Sequence, residues 1–258
     1  MNDQLSVNNL SLVFSFLLVL VAMGVSYKER LGLTKEILIS TLRAIIQLVI
    51  IGYILKYIFQ VNHVILTFVM TIFMIANAAW NAHKRNPSPY KNYGYSLLAI
   101  GVSTYITLFV LVLSGSLQFV PKQIIPITGM IASNSMVAIG LCYRNLNTQF
   151  RDQRQQVLEK LALGANVKLA SQSILQESIK AAMQPSIDSA KTVGLVSLPG
   201  MMSGLILAGV DPVYAIKYQI MVTFMLLATT SLGSIIAGYC CYRGYFNEDQ
   251  QLIDLKEK

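Results

Sequence analysis

The strongest constraint on this chain is a succession of seven apolar stretches separated by short polar connections. A helix needs about 20 mostly apolar residues to cross the roughly 30 Å hydrocarbon layer of a bilayer. The stretches lie near Leu10–Ser26, Ile37–Ile58, Val64–Ala82, Gly94–Ser114, Ile124–Tyr143, Ser189–Ala208 and Val213–Tyr242. The last is long enough to require tilt or to protrude. The expected fold is therefore all-α, a polytopic membrane protein with seven transmembrane helices forming one membrane domain over residues 1–258. With 54% hydrophobic and only 12% charged residues, disorder, a disulfide scaffold and an ordinary soluble enzyme are all excluded.

The formal charge of +8 would suggest nucleic acid in a soluble protein. In a membrane protein it reports orientation instead, because Lys and Arg gather in cytoplasmic loops. With the N-terminus outside, sixteen basic residues fall on the inner side, Lys191, Lys256 and Lys258 among them; Lys56, Lys122 and Lys217 fall outside, and Arg43 lies within a span. That bias sets the N-terminus outside and the C-terminus inside, with membrane lipid as a partner and no nucleic acid. No basic n-region precedes the first span and no small-residue cleavage pattern follows it, so it reads as retained. Cys142, Cys240 and Cys241 fall near inner span ends and are expected as thiols. Adjacent Cys240 and Cys241 suit a soft metal or small-residue packing.

One connection is long, the cytoplasmic stretch 144–188. Its first part, Arg144–Arg154, is polar; apolar residues then return at helical spacing at Val157, Leu161 and Ala165, and again at Leu175, Ile179 and Met183. Gly164-Ala165-Asn166 is a plausible helix break, and Pro185 is expected to mark a bend just before span six. A helix, a turn and another helix at the membrane surface follow. They either pack against the bundle and headgroups or serve as a docking element for a cytoplasmic partner.

Several residues within the spans stand out. Arg43 and Gln47 share a helix face, with Arg43 either snorkelling to headgroups or making an inward polar contact. Asn77 and Asn81 form a similar pair flanking Trp80, an interfacial anchor by type and position. Gly200, Gly204 and Ala208 form a small-residue stripe that lets helices approach closely. Pro199 beside Gly200 is a candidate hinge. Asp211-Pro212 is turn punctuation or, as an acidic group with Asp3 on the outer face, a first contact for a cation. The methionines at 130, 136, 201, 202, 221 and 225 are gap fillers or soft-metal ligands. His63 and His83 are about 30 Å apart along a straight helix and cannot share a site there.

Two segments carry a family resemblance. Glu159-Lys-Leu-Ala-Leu-Gly164-Ala, followed by Ile174, is similar to the EAA loop of ABC permeases, although Glu to Gly is one residue shorter and no Leu-Pro follows the Ile. Leu198-Pro-Gly-Met-Met-Ser-Gly-Leu-Ile-Leu-Ala-Gly-Val-Asp-Pro212, with Arg43-Ala-Ile-Ile-Gln-Leu48 and Ile125-Pro-Ile-Thr-Gly-Met130, resembles the FetB-type family of iron-export permeases over nearly the whole chain. The resemblance implies a multi-pass permease subunit of the cell membrane, exporting iron or another metal ion. It further implies a homodimer powered by a separate cytoplasmic ABC ATPase. Glu159, Leu161, Gly164 and Ala165 would then couple to that ATPase; Arg43, Gln47, Asn77, Asn81, Pro199, Gly200, Gly204 and Asp211 become pathway or hinge candidates. Plant members are associated with aluminium tolerance and nucleotide-sugar transport, so a nucleotide-sugar permease is an alternative.

Function classes compete on what the chain lacks. There is no G-x-x-x-x-G-K-[ST], so ATP would be bound by another subunit. A self-sufficient secondary transporter or channel calls for ionisable residues in mid-span, where Arg43 is the candidate. Neither H-E-x-x-H, C-x-x-C nor paired carboxylates within a span is present, so the chain is expected to be no enzyme and to carry no cofactor. A retinal protein needs a Lys in the middle of the last span, and Lys217 sits only at its start.

Overall fold

The computed structural model describes residues 9–61, 63–88 and 91–253; Asp3, Lys256 and Lys258 lie outside them, and so do the side chains of Leu10 and Ser11 in the first predicted span. The described residues are helical in the order α1 (Asn9–Lys28), α2 (Thr34–Val61), α3 (Val64–Lys84), α4 (Tyr93–Leu113), α5 (Pro121–Asp152), α6 (Arg154–Ala162), α7 (Val167–Thr192), α8 (Gly200–Leu207) and α9 (Pro212–Cys241), with a 3-10 turn at Tyr242–Tyr245. α2, α3, α4, α5 and α9, the last extended through Tyr245, are long and apolar enough to cross a membrane, and Leu12–Lys28 in α1 is a shorter apolar helix. The chain is an all-helical, multi-pass membrane protein.

The bundle is organised around α5, which packs against α3, α7 and α9, while α4 fills the angle between α3 and α9. Small hydroxyl residues line the seams. Ser103 Oγ lies 3.5 Å from Ser135 Oγ, Thr107 Oγ1 lies 3.2 Å from Thr229 Oγ1, and Ser96 Oγ lies 3.1 Å from the Tyr143 hydroxyl. Between apolar helices there is no hydrophobic driving force in lipid, so close approach and interhelical hydrogen bonds hold the seam. Gly238 serves the same end, since a Cβ there would meet Leu175 Cδ1 at 3.0 Å. α1 packs on α2, which touches the bundle at α5 and buries only Ile58.

Two predicted boundaries are corrected. α5 does not stop at Tyr143: the polar residues after it stay helical to Asp152, making a rod about 48 Å long. Its last turns carry Leu146 and Phe150, which the chain end buries: Phe150 stacks on Tyr245 at 4.3 Å and meets Phe246 edge-on, and Leu252 completes the cluster. Span six is not one helix. α7 stays helical through Pro185 to Thr192, and helical hydrogen bonding stops only at Val193–Pro199. Gly194 adopts φ +84°, its N–H bonds Ser197 O at 2.9 Å, and Pro199 becomes the N-cap of α8. At eight residues, α8 is only about 12 Å long.

Phe150→Ala should therefore cost about 3–5 kcal/mol, as expected for a buried aromatic. A melting curve in detergent should show a clear drop, with Leu18→Ala on exposed α1 unchanged; equal melting of both would contradict the packed chain end.

Candidate functional site

Four of the intramembrane candidates meet. Arg43 and Gln47 on α2, Asn77 and Asn81 on α3, and Ser133 on α5 line one cavity of about 400 Å³. Asn81 Nδ2 donates to both Asn77 O (2.9 Å) and Asn77 Oδ1 (2.8 Å), which fixes the two carboxamides relative to each other. Gly129 and Met74 share the wall, and a Cβ at Gly129 would meet Met74 Cε at 2.9 Å unless that flexible side chain shifted. Arg43 lies about 13 Å along α2 from Thr34 and lines this polar space. A guanidinium among carboxamides offers donors to an anionic or hydrogen-bond-accepting group. Trp80, one helix face away, is exposed, with Lys84 Nζ 5.3 Å from its ring and His83 and Tyr93 beside it.

The break in span six opens a second cavity, of about 250 Å³, on the other side of α5. Val193 and Pro199 at the break line it, together with Ser186 and Ser189 of α7, Asn134 of α5, and Gln219 and Thr223 of α9. Thr223 lies about 16 Å along α9 from Pro212, so the cavity sits at mid-depth of the bundle. Leu175 and Ile179 of α7 meet Gly238 near the far end of α9, so α7 runs antiparallel to α9 and reaches that depth from the α6 end. It carries an exposed polar stripe as it goes: Glu177, Lys180, Gln184, Asp188 and Lys191. Lys180 Nζ pairs with Glu177 at 2.8 Å, while Asp188 accepts from Gln184 at 2.9 Å and pairs with Lys191 at 3.2 Å. Charges at membrane depth are costly unless they face a water-filled space or polar partners.

The remaining candidates fall elsewhere. Gly200, Gly204 and Ala208 are exposed, and nothing lies within 4 Å of a Cβ built on either glycine, so α8 offers an open small-residue face. Asp211 is the N-cap of α9, its Oδ1 accepting from Val213 N at 2.8 Å. Met130, Met201, Met221 and Met225 gather in one apolar cluster with Leu108, Ile127 and Val222, and among the described residues no group of three His, Cys, Asp or Glu side chains could hold a metal. Cys142 and Cys241 are buried free thiols and Cys240 is half-buried.

The 144–188 stretch does form a helix, a turn and a helix. α6 ends where Gly164 takes φ +89°, and Asn166 caps α7 by accepting from Leu169 N at 2.8 Å. Within it, Leu161 and Ala165 pack against the core while Glu159 and Gly164 stay at the surface, Glu159 accepting from Gln155 Nε2 at 3.1 Å. The apex is Leu163, 88% exposed, beside a groove lined by Lys160, Leu169 and Gln172.

Residues 9–246 match the family described as "Uncharacterised protein family (UPF0014)". The chain belongs to the UPF0014 family. It is 57% identical over 255 residues, 98% of each chain, to the Escherichia coli K12 protein named "Probable iron export permease protein FetB". The UPF0014 membrane protein YjkA of Bacillus subtilis is 35% identical, covering 94% of this chain and 97% of its own. Arabidopsis thaliana "Protein ALUMINUM SENSITIVE 3" is 34% identical, covering 92% of this chain and 87% of its own. No solved structure matches. The relatives of this chain thus include a protein named as a permease.

Gln219, Asn134, Thr223, Leu163 and the α7 stripe were not singled out from sequence. The stripe was readable, since Glu177, Lys180, Gln184, Asp188 and Lys191 recur at helical i+3 and i+4 spacing. Counting Lys191 as a loop charge concealed it. If the stripe faces water, Gln184→Cys in a Cys240→Ala background should react with a charged methanethiosulfonate in nanodiscs, and Leu18→Cys on α1 should not. Unreactive Gln184→Cys would place the stripe against protein or lipid.

Proposed function

We propose that the chain is the membrane permease subunit of an ABC transporter exporting iron or another metal ion from the cell. The observation that carries this reading is the 57% identity over 98% of both chains to a protein whose name is that of an iron export permease. In this reading the chain crosses the membrane seven times, N-terminus outside, with the α7–α8 pair making the sixth crossing as a broken helix. Irregular backbone at membrane depth is tolerated where it is buried in protein or lines a cavity. The α6–α7 turn then faces the cytoplasm, carrying Glu159, Leu163 and Gly164 to a separate ATPase. Leu163, held out by the left-handed Gly164, is the apolar anchor, and Leu161 and Ala165 tie the turn to the bundle. Closure of the ATPase pushes this turn, and α7, about 39 Å long, transmits the push to the break at Val193–Pro199. Two copies meet about a two-fold axis, and the open face of α8 and the polar stripe of α7 turn toward that axis rather than to lipid.

A second reading, a permease for an anionic solute such as a nucleotide sugar, draws on the Arg43 cavity, whose donors suit phosphate. ATPase activity of the reconstituted complex across a panel of metal ions and nucleotide sugars separates the two. Stimulation by Fe²⁺ supports the metal reading, and stimulation by the sugars alone replaces it.

Leu163→Glu should lower capture of a cognate ABC ATPase at least tenfold, about 1.4 kcal/mol, while the chain stays monodisperse. Unchanged capture would remove the turn from the coupling surface.

A further inference from the structure

The cavity between α2, α3 and α5 holds a charge that the chain leaves unbalanced. Arg43 is the one ionised residue among its lining side chains. Among the described residues its guanidinium makes neither an ion pair nor a hydrogen bond. Glu36 is the one carboxylate on α2, seven residues or about 10 Å along the helix from Arg43. α3 carries none, and α5 none before Asp152. The carboxamides of Gln47, Asn77 and Asn81 donate and accept alike, so they select no sign of charge. The guanidinium does select one: it has five donors and no acceptor, and a charge at membrane depth is costly without a partner. A ligand of net negative charge completes this cavity.

The cavity also lies where a lipid can reach it. It joins the first part of α2 to the last part of α3, the end of the bundle that carries Lys28, Arg30, Lys35, Lys84 and Arg85. α2 touches the bundle at α5, and Arg43, Gln47 and Asn77 are exposed, so the space opens sideways between α2 and α3. Phe73, Met74 and Met136 give it an apolar wall beside the polar one. Basic pockets between membrane helices suit anionic lipid headgroups.

We propose that this cavity binds the phosphate of an anionic phospholipid drawn from the leaflet at the Lys84 end. The guanidinium meets the phosphate oxygens with its planar fork of donors. Asn77 Nδ2, left over by the bonds from Asn81, and the Gln47 amide offer donors beside it. An acyl chain lies along Phe73, Met74 and Met136. A zwitterionic lipid brings an ammonium for which the cavity has no carboxylate, so the preference is for a lipid of net negative charge. The site lies across α5 from the broken span and depends neither on a metal nor on an ATPase. A phosphate-bearing solute shares the chemistry, and the test separates the two sources.

Trp80, the chain's single tryptophan, lies on α3 between Asn77 and Asn81 and serves as the reporter. The full chain is placed in phosphatidylcholine nanodiscs containing a minor fraction of phosphatidylglycerol brominated on its acyl chains, which quenches tryptophan at short range. Quenching should report at least fivefold enrichment over the same fraction of brominated phosphatidylcholine. Arg43→Gln should abolish the preference, and Arg43→Lys should keep it in part. Gln47→Glu, one turn along α2, gives the guanidinium a partner within the chain and should abolish the preference with Arg43 in place. Lys84→Gln removes a charge 5.3 Å from the Trp80 ring but none from the cavity, and should keep the preference. No preference in wild type, or a preference that survives Arg43→Gln and is lost with Lys84→Gln, overturns the proposal. Release of the quenching by inorganic phosphate or UDP-glucose overturns it too, and makes the cavity a solute site. ATPase capture on the same preparations is read separately: lipid preference without capture keeps this site and removes the ABC permease, whereas capture without preference does the reverse.

Discussion

Inside a bilayer every backbone N–H and C=O must find its partner within the protein, and the helices must then be held together without help from the hydrophobic effect. The seams of α4, α5 and α9 meet that demand with serines and threonines small enough for close contact. Their hydroxyls bond back to their own helix, as Thr107 does to Ser103 O at 2.8 Å, and across the seam, as Thr107 does with Thr229. Because α5 takes part in the packing on three sides, it sets the spacing of α3, α7 and α9 together. Both polar cavities are what remains on either side of it, with the neighbours Ser133 and Asn134 each facing a different one.

The same backbone demand explains the break in span six. Val193–Pro199 gives up the helical ladder, yet the short bond from Gly194 N to Ser197 O and the bonds into Thr192 O recover part of what is lost. The polar lining comes from side chains of α5, α7 and α9. α7 therefore ends in a segment without the helical ladder, next to the cavity between α5 and α9. At the other end of the same helix, the cluster of Phe150, Tyr245, Val157 and Ile174 makes the base of α7 firm. A helix anchored at one end and interrupted at the other is suited to carry displacement from a docking surface to a pathway.

Much of this was legible as apolar runs, because length and hydropathy decide which helices cross a bilayer. Gly164 and Asn166 announced the turn between α6 and α7, since a left-handed glycine and an Asn cap are local choices. Arg43, Gln47, Asn77 and Asn81 were visible as polar pairs, although only tertiary packing brings α2 and α3 to one cavity. Span six misled for a physical reason: residues 189–208 are apolar enough to cross, but hydropathy does not register where a helix stops hydrogen bonding. Gly194 and Pro199 carried that information. The end of α5 misled in the opposite sense, since Arg144–Asp152 is polar yet helical, its burial supplied by a chain end nearly one hundred residues away, as in the bond from Arg154 Nη1 to Ile253 O at 3.3 Å.

The central claim is that α7 links an ATPase-facing turn to the break at mid-membrane. Hydrogen–deuterium exchange of the permease–ATPase complex, with and without a non-hydrolysable ATP analogue, tests it directly. Amides of residues 193–199 should change their exchange severalfold on nucleotide binding while those of α4, Tyr93–Leu113, stay as they are. A response confined to residues 154–170, with the break indifferent to nucleotide, would contradict it.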